Sequence, residues 1–205
     1  MADLVVEREI PAPGTALCGI AWDGEQLWHA DAATSLLYAI DSETGVVRRT
    51  LSCPDIRTCT DFAHGLLWQV AGRPKVLRAL DPRSGMVVRE LRLLSETICG
   101  LSISGERFWT SQEEGRLLLC SLEEGAVERE LAAVPRAAGV AAWAGELWYT
   151  VDRPGLLVSV DPEDGMERTR HEVGGIPTGL GWDGRHLWYA DNDPKRLVAV
   201  SWRSS

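Results

Sequence analysis

Short apolar stretches alternate with turn residues along the whole chain, and the alternation repeats. GIAWDGEQLWHAD near the start returns as GLGWDGRHLWYAD near the end, with three looser copies between. Trp28, Trp68, Trp109, Trp148 and Trp188 anchor the copies at intervals of 40, 41, 39 and 40 residues. Each copy divides into four apolar stretches. In the first these are CGIAW, QLWHA, LLYAI and VVRRTL, split by Asp23-Gly24, a loop with Asp31, and a turn from Asp41 to Gly45. Four short strands per repeat of ~40 to 45 residues predict one propeller blade per repeat. The chain therefore reads as an all-β, five-bladed β-propeller of four antiparallel strands per blade.

The blades run at about 15–53, 57–94, 97–133, 136–174 and 176–203, the last completed by 2–11. The fifth copy stops after its third strand, RLVAVSW. Near the N-terminus VVEREI (Val5 to Ile10) matches AVEREL (Ala126 to Leu131) and VVREL (Val87 to Leu91), both fourth strands. Residues 4–10 are thus expected to pair with 196–202 and close the ring, since an open ring leaves two unpaired sheet edges. The alternating Arg and Glu of the fourth strands suit a solvated edge.

The repeat resembles the bacterial propeller repeats of the glutamine cyclotransferase and virginiamycin B lyase families. The carriers are G-[IL]-x-W-D-G-x-x-L-W in blades 1 and 5, and D-x-x-x-G after the third strand. The resemblance spans the full length and implies small-molecule chemistry on one face, often metal-assisted. No catalytic motif of those families is present to carry over, and fold alone does not give function.

Composition narrows the partners. A formal net charge of −9 without a polybasic run argues against nucleic acid and against an anionic membrane surface. No basic leader with an apolar stretch and no apolar run of ~20 residues is seen, which predicts a cytoplasmic location. In that compartment the five cysteines are expected as free thiols. A monomer that binds a small molecule is the expectation.

First strands of a propeller line its axis, so the axial mouth is the default site. Aligning them places Cys18-Gly19-Ile20, Cys59-Thr60-Asp61, Cys99-Gly100-Leu101, Ala138-Gly139-Val140 and Thr178-Gly179-Leu180 together. Three cysteines then share one position in consecutive blades. One reading is inherited packing, with Cys as a small hydrophobe. The other is a thiol arc of Cys18, Cys59 and Cys99, open at Ala138 and Thr178. Such an arc would hold a soft metal such as zinc or copper, or supply a thiolate nucleophile for a lyase or hydrolase. Asp61, the one charge in that layer, is a candidate acid or base if desolvated, or else a local cap or a partner of Arg57.

The surrounding loops add Asp31, Arg73, Glu113, Asp152, Arg153 and Asp191. Arg73 and Arg153 suit a carboxylate or phosphate. Arg57 and Arg136 precede the ring position and would lower a nearby thiol pKa. The anchor tryptophans are expected as blade-to-blade core, and Cys120 as core. Trp143 and Cys53 are expected to be exposed, and His64 is placed at the Asp of the Asp-Gly turn. The alternative to a ligand site is a non-catalytic scaffold that binds peptides or proteins on a loop face.

Overall fold

In the computed structural model, which describes residues 3–93 and 95–203, all the described secondary structure is β. Residues 2 and 94, at two of the expected blade limits, lie outside the described set. The N-terminal strand is β1 (Asp3–Pro11). Blade 1 holds β2 (Leu17–Trp22), β3 (Leu27–Asp31), β4 (Leu36–Ile40) and β5 (Val47–Ser52). Blade 2 holds β6 (Ile56–Ala63), β7 (Leu66–Ala71), β8 (Val76–Leu80) and β9 (Val87–Arg92). Blade 3 holds β10 (Ser102–Ser104), β11 (Arg107–Gln112), β12 (Arg116–Ser121) and β13 (Val127–Ala132). Blade 4 holds β14 (Ala137–Trp143), β15 (Glu146–Val151), β16 (Leu156–Val160) and β17 (Glu167–Glu172). Blade 5 holds β18 (Pro177–Trp182), β19 (Leu187–Asn192) and β20 (Lys195–Arg203), and β1 completes its sheet.

The closing pair runs antiparallel from Asp3↔Arg203 through Leu4↔Trp202 to Pro11↔Arg196, as the sequence match requires. Ile10 is buried there, in a cluster with Leu17, Ile20, Trp188 and Leu197 that joins blade 5 to blade 1. Each of the other boundaries has its own apolar cluster with one anchor tryptophan: Trp28, Trp68, Trp109 and Trp148. The regular spacing of the anchor tryptophans is therefore a packing requirement, one anchor indole per gap between blades.

Turn chemistry follows the repeat. In blade 1 the Asp41 carboxylate accepts the N–H groups of Glu43 and Thr44, and the Gly45 N–H donates to the Asp41 carbonyl at 2.8 Å. Gly45, Gly85, Gly125 and Gly165 all have φ of +73° to +75°, a conformation that glycine adopts at little cost.

Blade 3 departs from its siblings. Its first strand is regular only over Ser102–Ser104, and Ile98 is tied to Gln112 by a single bridge. Among the described residues no helix is long and apolar enough to cross a membrane.

Candidate functional site

Every first strand is irregular near its start. In blade 1 the pairing with β3 skips from Leu17 to Gly19, which leaves Cys18 unpaired in a bulge. The same skip leaves Thr178 unpaired in blade 5 and Ala138 with Gly139 in blade 4. In blade 2 it leaves Arg57, Thr58 and Cys59 unpaired. A bulge turns a side chain away from the ladder, and one such residue from each of blades 1, 2, 4 and 5 (Cys18, Thr58, Ala138 and Thr178) faces a common cavity. Cys18, Thr58, Cys99, Ala138 and Thr178 line one cavity of about 240 Å³, one residue from each blade, with Ala137, Glu113, Arg136 and Asp152.

This corrects the alignment of blade 2. Thr60 faces Gln69 as Ile20 faces His29, and Asp61 faces Trp68 as Ala21 faces Trp28. The whole strand is shifted by one residue from the expected register. Thr58 takes the ring position, Cys59 the glycine position, and His64 the glycine rather than the aspartate of the turn. The signal was available in the sequence. Each ring residue lies ten positions before its anchor tryptophan, and Trp68 counts back to Thr58.

Cys18 and Cys99 are half-buried in the cup, while Cys59 is buried behind it. Cys59 packs with Ile98 and Leu101 in the core between blades 2 and 3. That is where β10 is cut short. At the other equivalent positions a side chain does not fit so readily: a Cβ on Gly19 would sit 2.4 Å from the Thr60 nitrogen, and one on Gly139 2.5 Å from that of Leu180. Among the described residues no group of three or more His, Cys, Asp or Glu side chains is placed to hold a metal ion.

The thiols are held in their neutral form. Burial pushes Cys18 well above the ordinary thiol range and Cys59 up to about 12, and it raises Cys99 too. The cation that opposes this at Cys59 and Cys99 is Lys75, not Arg57 or Arg136. Cys18 and Cys99 donate to the carbonyls of Ala30 and Thr97. Thr178 donates to the Leu17 carbonyl at 2.8 Å and so spans blades 5 and 1.

The expected charges divide three ways. Arg136 is clasped by Asp152 on the rim, with Nε 2.6 Å from Oδ1. Arg57 and Arg73 meet Lys75, Glu96 and Thr58 in a second cavity of about 420 Å³ beside the cup. Arg153 is exposed and lines neither.

Asp31 and Asp191 are fully buried instead of facing the mouth. Asp31 accepts the N–H groups of Thr15 and Ala16, and Asp191 that of Ile176, which pins the loops entering β2 and β18.

Asp61 lies further along the strand. Its carboxylate accepts the N–H of Phe62 at 2.8 Å and of Ile103 in blade 3 at 2.6 Å. Burial still raises its pKa to about 7 against those two bonds. The equivalent residue of blade 3, Ser102, accepts the N–H of Ala142 in blade 4. Asp61 thus acts as a staple between blades, away from the cup.

Two expected exposures also differ. Cys53 is buried against blade 1 and 2 residues. Trp143 is half-buried, its ring 4.0 Å from Trp182 and 5.2 Å from Trp202.

No family model matches the chain, and no curated protein does. Solved structures are similar to it in fold. The glutaminyl cyclase of Myxococcus xanthus has a TM-score of 0.83 and 12% identity, over 98% of this chain and 97% of that one. The PQQ-bound aldose sugar dehydrogenase of Streptomyces coelicolor has a TM-score of 0.65 and 10% identity, over 99% of each chain. The WD40 propeller domain of Doa1 has a TM-score of 0.63 and 10% identity, over 90% of this chain and 78% of that one. At such identities the likeness is one of fold: the chain is a five-bladed propeller, resembling propellers that include both enzymes and a WD40 domain.

Proposed function

We propose that this propeller binds a small molecule in the axial cup. The observation that carries the reading is the convergence of five small side chains, one from each blade, on a single concavity rimmed by Glu113, Arg136 and Asp152. Concave sites that are mostly apolar with a few placed polar groups are the usual form of ligand pockets. At about 240 Å³ the cup is below the roughly 300–1,000 Å³ typical of drug-sized ligands, so the ligand, or the part of it that enters, is small.

The floor is adapted to neutral contacts. Burial holds Cys18 and Cys99 as thiols, and a thiol is a weaker nucleophile than a thiolate. This supports binding more than thiolate attack. Any reaction in the cup would draw on Glu113, Asp152 and Arg136. The similarity to a glutaminyl cyclase and a sugar dehydrogenase is compatible with such a reaction and does not select one.

A screen of small polar compounds by thermal shift and ligand-observed NMR tests the reading, with Ala138→Leu as the variant that fills the cup. Compounds that stabilise the wild type are expected to lose their effect in Ala138→Leu, whose own melting must stay cooperative. Binding unaffected by Ala138→Leu would overturn the axial reading and favour a scaffold that uses its loop faces. Ala138→Val serves if leucine disturbs folding.

A further inference from the structure

We propose that the groove beside the cup is an anion subsite, so that the ligand of the cup carries a carboxylate or phosphate group. The inference rests on the reading of the cup as a ligand site and names its substrate class.

Three cations, Arg57, Arg73 and Lys75, face one carboxylate, Glu96, in a cavity of about 420 Å³. This occurs on a chain whose formal net charge is −9. Among the described residues eleven arginines pair with carboxylates, Arg8 with Glu43, Arg48 with Asp41, Arg129 with Glu163 and Arg136 with Asp152 among them, while others such as Arg153 and Arg185 stand apart and unpaired. Among the described residues Arg57 and Arg73 are in no such pair. Among the described residues Glu96 forms no ion pair with them; its Oε1 accepts the backbone N–H of Lys75 at 2.9 Å. Like charges gathered in a concavity repel each other, and a bound anion removes that cost. Guanidinium forks are also the side chains best matched to carboxylate and phosphate oxygens.

The groove is built and joined to the cup. Arg57 Nε donates to the Gly72 carbonyl at 3.2 Å, which fixes its stem. Lys75 Nζ donates to the Ile98 carbonyl at 2.6 Å, next to Cys99 of the cup. Thr58 lines both cavities. An anionic group among the cations therefore leaves the rest of a small ligand at the axis. The fitting class is a small carboxylic acid or a phosphate monoester with a compact uncharged body.

The test is titration of the full chain with inorganic phosphate and, separately, acetate at low ionic strength. Backbone amide NMR shifts report the site, and chloride is the control. Shifts are expected at residues 57, 58, 73 and 75, with affinity reduced at least about tenfold in Arg57→Gln/Arg73→Gln. The stronger of the two anions identifies the preferred group. Anions that bind no better than chloride, or that bind the double variant equally well, would overturn the inference.

Ala138→Leu separates this from the axial reading, because it fills the cup and spares the groove. If uncharged compounds occupy the cup and anions fail to bind, the axial reading stands and the anion subsite falls. If phosphate binds both wild type and Ala138→Leu while nothing occupies the cup, the groove is an anion site and the axial reading falls.

Discussion

The carboxylate of Asp61 accepts the backbone N–H of Ile103 at 2.6 Å, and so links the first strand of blade 2 to that of blade 3. An N–H on the inner edge of a first strand has no ladder partner, and a buried unpaired N–H is costly. Ser102 does the same for Ala142 one blade on.

Asp61 and His29 give opposing pH dependences. Burial raises Asp61 to about 7, so the folded state holds a proton that the unfolded chain has released above about pH 4, and stability falls as pH rises to 7. Burial lowers His29 to about 4, so the unfolded chain holds the extra proton below about pH 6.5, and stability falls as pH drops toward 4. Between pH 4 and 6.5 the two act in opposite directions. Asp61→Asn removes the falling limb, so its melting temperature relative to the wild type is expected to climb with pH between about 4 and 7. Thermal melts at half-unit pH steps check this; parallel profiles would refute it.

Ring closure depends on β1. Removing residues 1–11 strips β20 of its partner and uncovers the cluster around Trp188 and Leu197. The milder Ile10→Ala is expected to cost about 2–5 kcal/mol, as for other buried isoleucines. Denaturant unfolding measures it, and an unchanged midpoint would contradict the closure.

The thiols should separate into two groups on alkylation. Cys18 and Cys99 are half-buried in the cup, whereas Cys53, Cys59 and Cys120 are buried. Iodoacetamide followed by peptide mapping is expected to mark Cys18 and Cys99 first, both more slowly than a free thiol at pH 7.5 because burial raises their pKa values. The other three should react only on unfolding. Rapid modification of Cys59 in the folded protein would place it in the cup after all.

Asp23 holds a turn and an anchor together. Its carboxylate accepts the N–H groups of Glu25 and Gln26 and the Trp28 indole N–H at 2.7 Å. Asp23→Ala leaves a buried indole N–H without an acceptor, and a loss of about 1–3 kcal/mol is expected from that group. Urea unfolding of the variant checks the figure. Asp183 repeats this arrangement on Trp188, while in blade 4 Trp143 stands at that position and the Trp148 nitrogen has no partner.

The sequence by itself determined the number of blades, their strand content and the closing strand. Those features are periodic: one anchor indole per blade gap, one glycine in the third turn of each of blades 1–4, one apolar strand set per repeat. Any periodic packing need is written once per copy and can be read by comparing copies. It also drew attention to the start of the first strands, where Cys18, Cys99, Arg136 and Thr178 line the cup and Arg57 and Arg73 the groove beside it.

The tertiary structure alone decided where the side chain of each of these residues sits. Blade 2 has no glycine at the position that marks the register elsewhere, so similarity of side chains misplaced Cys59 by one residue. In a strand a one-residue slip sends a side chain to the opposite face, and Cys59 went to the core while Thr58 took the ring. Asp31, Asp61 and Asp191 are ordinary loop or strand aspartates in sequence. Only folding brings them to backbone N–H groups, in the case of Asp61 to one 42 residues away. The gathering of Arg57, Arg73 and Lys75 in one groove likewise comes from the start of β6 and the β7–β8 loop, which meet only when the blade forms.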